Sequence, residues 1–140
     1  MNTGQHGSRV GRWLAGSALA AACLAAGAPP AAAQPATLEG AWSGGGVVIL
    51  PSGDRERARC RAIFRRAGGG GFGMNATCAT ASTRVSQSAQ LARISANRFA
   101  GDFFNSEYGV SGSITITVQG NHLSAALNGG GGSAHFNLSR

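Results

Sequence analysis

Cys60 and Cys78 are the residues whose placement most directly implies a bond between them. They are equidistant from Gly69, inside the glycine run Gly68–Gly71. An antiparallel hairpin turning at that run sets the two thiols opposite each other, within reach of a disulfide. A second group is Arg55, Arg57, Arg59 and Arg61. A strand would project them from one face at intervals of about 6.5–7 Å, a ladder suited to phosphates or a row of carboxylates. The plainer reading of that ladder is a solvated face, with Asp54 and Glu56 offsetting part of its charge. His122 and His135 face each other only if Asn128-Gly129 is a two-residue turn, which would let them share a metal. The competing loop, Gly129–Gly132, sets Leu127 against Ala134, Ala125 against Phe136 and Leu123 against Leu138. It buries apolar pairs and separates the histidines. No third ligand is evident, so no metal and no other cofactor is expected. The chain lacks a Gly-x-Ser-x-Gly elbow, and pairing Cys60 with Cys78 removes the thiol nucleophiles, so no catalytic residue is expected.

The cysteine reading requires an oxidising compartment, and the first residues supply a route to one. Arg9 and Arg12 form a basic n-region, Leu14–Ala28 an apolar stretch, and Ala31-Ala32-Ala33 a small-residue cleavage site after Pro29-Pro30. Residues 1–33 therefore read as a signal peptide cut before Gln34, placing the product in the periplasm or the medium. The apolar run is too short for a membrane span, and an integral membrane protein is not expected. A rival reading makes Cys23 a lipidated cysteine, although Leu19-Ala20-Ala21-Ala22 lacks a larger apolar residue close to it. Of three cysteines, cleavage leaves two, an even number that favours a structural disulfide. Ten arginines then face five carboxylates, and the chain has no lysine. Such a surplus favours acidic partners. No aromatic residues interleave with the arginines, so nucleic acid is not an expected partner.

Residues 34–39 form a short tail, and 40–140 are long enough for one small domain. From residue 40 on, the pattern alternates apolar and polar with no helical periodicity. Eight strands are predicted, at roughly 40–50, 54–66, 71–81, 83–93, 97–104, 109–119, 121–128 and 132–139. Turn signals such as Pro51-Ser52-Gly53-Asp54 and Gly120-Asn121 separate them. Pairing Cys60 with Cys78 sets Ala62 against Ala76, Phe64 against Met74 and Ala58 against Thr80, while the arginines take the opposite face. A slip of one residue would destroy that match. Gly68–Gly73 fits Gly-x-Gly-x-x-Gly formally, but a strand follows it instead of a helix, so it reads as a hairpin loop. Phe103 and Phe104 are adjacent and must point to opposite faces. Glycines Gly44–Gly46 inside the first strand suggest a bend or a close approach by another chain or ligand. The expected fold is an all-β, antiparallel up-and-down meander closing into an eight-stranded barrel.

The first strand opens with Gly40-Ala41-Trp42, a Gly-x-Trp motif. With eight meandering strands behind it, this resembles the calycin barrels: lipocalins, avidins and bacterial metalloprotease inhibitors of the Inh type. The resemblance implies that Gly40 admits the chain to the barrel base and that Trp42 packs across it. The Inh-type proteins match in size, export and a single disulfide, although their cysteine spacing differs. That likeness implies inhibition of a secreted zinc protease by an N-terminal tail, here Gln34, Pro35, Ala36, Thr37, Leu38 and Glu39.

The expectation for function is a non-enzymatic, exported binding protein of the bacterial cell envelope. Its partner would be a protein, an envelope component meeting Arg55–Arg61, or a small apolar ligand inside the barrel. The last requires an apolar cavity beyond about 300 Å³.

Overall fold

The computed structural model describes Gly11, residues 26–30 and residues 35–140. The predicted leader, with Cys23, otherwise lies outside the described residues, as does Gln34. Residues from Pro35 onward belong to a compact unit spanning Ala33–Arg140.

Eight strands follow one another: β1 Gly40–Ile49, β2 Arg55–Arg66, β3 Phe72–Ala79, β4 Arg84–Arg93, β5 Arg98–Asn105, β6 Val110–Gln119, β7 His122–Gly129 and β8 Gly132–Ser139. Each pairs antiparallel with its successor, and β1 also pairs with β8, so the sheet closes into a barrel. Closure leaves no strand edge unpaired. The predicted ends are correct to within two residues. The largest correction is at β3, which stops at Ala79. Thr80 leaves the ladder for a turn in which its N–H donates to the Thr83 carbonyl at 2.8 Å. Ala58 and Thr80 are therefore not ladder partners.

Alternation sorts side chains to the two surfaces as the period of 2 requires. Along β2, Ala58, Cys60, Ala62 and Phe64 are buried, whereas Arg55, Arg57, Arg59, Arg61 and Arg65 are exposed. Cys60 and Cys78 are cross-strand partners joined by a disulfide, with Cα atoms 4.1 Å apart. Phe103 points inward and Phe104 outward. The interior is mainly apolar and the exterior carries arginines, serines and glutamines, the reverse of the lipid-facing band on a spanning barrel. Among the described residues, no helix is long and apolar enough to cross a membrane.

The core is unevenly distributed along the barrel axis. The end bearing the β2–β3, β4–β5 and β6–β7 connections is filled by Trp42, Phe64, Phe72, Leu91, Phe99, Ile116, Val118, Leu123 and Leu138. Phe72 and Phe99 meet edge to face, with ring centroids 5.4 Å apart, the arrangement that aromatic quadrupoles favour.

The glycines of β1 mark a close backbone approach within the barrel itself. A Cβ at Gly46 would overlap the His135 carbonyl oxygen and the Phe136 ring on β8. At Gly45, which faces outward, the nearest atom to an added Cβ is the Ala58 carbonyl oxygen at 3.4 Å. Gly46→Ala is therefore expected to destabilise the fold by about 1–3 kcal/mol, the usual range for overpacking. Gly45→Ala should cost much less. Thermal unfolding of the two variants checks the contrast, and equal melting temperatures would contradict it.

Candidate ligand cavity and the closed base

At the base, the segment ahead of β1 crosses the barrel end and is fastened there. Leu38 is fully buried, and its carbonyl accepts a hydrogen bond from Trp42 Nε1 at 2.9 Å. Ala36 donates its N–H to the Ala96 carbonyl at 3.0 Å. Three arginines from different parts of the chain hold the segment. Arg93 donates to the Ala36 carbonyl at 3.0 Å and lies over the Phe99 ring. Arg140 donates to the Glu39 carbonyl at 3.0 Å and stacks 4.3 Å from the Trp42 ring centroid. Arg66 pairs with the Glu39 carboxylate at 2.9 Å. That ion pair is exposed and contributes little by itself. The backbone contacts and the buried Leu38 do more. Gly40 turns the chain into the barrel with φ of 122°, a conformation that favours glycine. Within the segment read as a tail, Ala36 is half-buried and Leu38 buried, while Pro35, Thr37 and Glu39 are exposed.

The opposite end carries the β1–β2, β3–β4, β5–β6 and β7–β8 connections and is open. Here the inward side chains are small or lie along the wall: Ala58, Val85, Val110, Leu127, Ala134 and Phe136. They leave a cavity of about 640 Å³. A much smaller void of about 30 Å³, lined by Met74, Ile114 and Ala125 among others, lies toward the base. Cys78 and Gln87 line both.

Polar groups are few on this wall and lie at defined positions. Gln87 of β4 and Asn105 of β5 are cross-strand partners, both facing inward. Asn105 is 7% exposed, and its Oδ1 accepts the Tyr108 N–H at 3.2 Å. Gln87 Oε1 is buried without a hydrogen-bond partner. At the rim, the Thr83 and Tyr108 hydroxyls lie 2.8 Å apart. Ser82 Oγ lies 3.1 and 3.0 Å from the two carboxylate oxygens of Glu56.

Glu56 corrects the sequence reading. Instead of offsetting the charge of the neighbouring arginines, its side chain lines the cavity while theirs point outward. Its parity with Ala58 and Cys60 carries that information. Gln87 and Asn105 belong to no motif that marks them as site residues, yet each shares the parity of a buried neighbour, Ala89 for the first and Phe103 for the second.

Arg55, Arg57, Arg59 and Arg61 lie along one outer face, opposite Ile49, Val47, Gly45 and Ser43 of β1. Thr77 and Ala79 of β3 flank the row on its other side. These strand partners are uncharged, and β3 ends at Ala79, so Arg55 and Arg57 have no partner on that side. The histidines are not opposite each other: His122 pairs with Ser139 and His135 with Ala126. Leu127–Ala134, Ala125–Phe136 and Leu123–Leu138 are the observed pairs.

No protein-family model and no curated protein matches the chain. Solved structures with a similar fold include a redesigned β-barrel, mFAP1, bound to DFHBI. It superposes with a TM-score of 0.62 at 11% identity, over 74% of this chain and 94% of that one. A de novo designed fluorescence-activating β-barrel gives a TM-score of 0.57 at 11% identity, over 73% and 92% of the respective chains. At these identities the likeness establishes the fold, and the function has to be argued from the site.

Proposed function

We propose that this chain is an exported, non-enzymatic binding protein that holds a small apolar ligand in the open half of its barrel. The observation that carries this reading is the cavity of about 640 Å³. It falls within the usual range of small-molecule sites, about 300–1,000 Å³, with mainly apolar walls and a few placed polar groups. The structural division supports the same reading: large side chains fill the base, and small ones line the mouth. The reading extends the calycin resemblance in its lipocalin sense, that of a barrel carrying a ligand. The Cys60–Cys78 disulfide suits the periplasm or the medium. A protease-inhibiting tail draws no support from the seating of Ala36 and Leu38. The row Arg55–Arg61 offers an acidic partner, such as an anionic envelope component, a separate face outside the barrel.

The test is to fill the cavity. Ala134 is half-buried on its wall. Ala134→Phe should weaken binding of a neutral environment-sensitive dye such as Nile red by about tenfold or more, with the melting temperature held. A smaller substitution, Ala134→Val, should have an intermediate effect. Undiminished dye binding by Ala134→Phe would place the dye elsewhere and remove the basis of the reading.

A further inference from the structure

Resting on that reading, the paired amides on the wall specify what the ligand must carry. Gln87 and Asn105 are direct cross-strand neighbours facing the interior. Such partners have Cβ atoms about 4.5–5.5 Å apart, so one functional group can meet both. The orientation of Asn105 is set by its own turn: its Oδ1 is engaged by the Tyr108 backbone N–H. The Nδ2 end is therefore what Asn105 has left to offer. Gln87 Oε1 is buried out of a ligand's reach, which leaves the nitrogen, Nε2, as the end of this amide that can meet one.

We infer that the ligand is a neutral molecule with an apolar body and a carbonyl-type oxygen, which accepts hydrogen bonds from Gln87 Nε2 and Asn105 Nδ2. Glu56 excludes the corresponding carboxylate. It is the charged side chain lining the cavity, and its carboxylate would repel an anionic ligand seated beside it. The Ser82 hydroxyl, within hydrogen-bonding distance of both carboxylate oxygens, holds that charge in place.

Three probes sharing one ring system separate the possibilities: naphthalene, 2-acetylnaphthalene and 2-naphthoate. Each is titrated into the full-length processed protein and followed by its own fluorescence. The ketone should bind about tenfold more tightly than the hydrocarbon, the advantage expected of one or two hydrogen bonds made in a desolvated site. The anion should bind most weakly. Gln87→Leu should abolish the ketone's advantage and leave naphthalene binding equal or improved, and Glu56→Gln should narrow the gap between ketone and anion. In the native protein, the side-chain amide protons of Gln87 and Asn105 should move downfield on adding the ketone, as hydrogen-bonded protons do, and naphthalene should not produce that downfield shift. Tight naphthalene binding with no preference for the ketone would overturn the inference while leaving the apolar cavity reading intact. Binding of none of the three would remove both.

Discussion

Trp42→Ala is expected to lower stability by about 3–5 kcal/mol, the usual cost of truncating a large aromatic core side chain. Three losses coincide at this position. The indole is 2% exposed and belongs to the buried cluster that fills the base. Its Nε1 bond to the Leu38 carbonyl holds the segment that seals the barrel. Its ring also receives the Arg140 guanidinium, a contact of about 0.5–2 kcal/mol depending on its desolvation. Trp42→Phe keeps much of the packing and loses the N–H donor, so it should cost less. Chemical denaturation followed by circular dichroism checks this, because the substitution removes the fluorophore. A change below about 1 kcal/mol for Trp42→Ala, well under the usual core-truncation cost, would show that the base is not where the fold is secured.

Removing the disulfide should have an effect of similar size through the other side of the equilibrium. Cys60 and Cys78 are 18 positions apart. Closing a loop of that size restricts the unfolded chain enough to contribute about 3 kcal/mol. The Cys60→Ala/Cys78→Ala variant should therefore unfold at a lower temperature by about 12–24 °C, at roughly 4–8 °C per kcal/mol for a domain of this size. Reduced wild-type protein should behave similarly. The strand register should survive, because Ala62–Ala76 and Phe64–Met74 still bury the same face. A variant with the wild-type melting temperature would mean that the unfolded chain is already compact around this hairpin.

The barrel is legible in the sequence because two independent signals agree. Alternation along 54–66 separates arginines from apolar residues, and the two cysteines fix which partner faces which. Alternation alone excludes a slip of one residue but leaves a slip of two open, and the cysteine pair removes that ambiguity. The hairpin of β7 and β8 is resolved by apolar pairing, which sets the two-residue turn at Gly130-Gly131 instead of Asn128-Gly129. The cavity is less legible. Whether a barrel is filled depends on volumes summed across strands distant in sequence, such as Trp42 of β1, Phe64 of β2 and Phe99 of β5 at one level, and Ala58, Val85 and Ala134 at another. Parity locates a residue inside or outside but gives no level along the axis. For that reason Glu56, Gln87 and Asn105 escape a sequence-based choice of site residues, though parity alone turns each of them inward. The seating of Leu38 depends on Arg93 and Arg140, far along the chain, and no local pattern announces it.

The placement of Leu38 and Arg140 at one end of the barrel gives the molecule a direction. A tag, a surface or a fused domain coupled just before Leu38 or after Arg140 is attached at the end remote from the cavity. The entrance is left facing away from the support. Captured proteins on a sensor chip would then all present their openings to the solution, and grafting new sequences into the β1–β2, β3–β4, β5–β6 or β7–β8 connections would alter what is received without disturbing how the molecule is held.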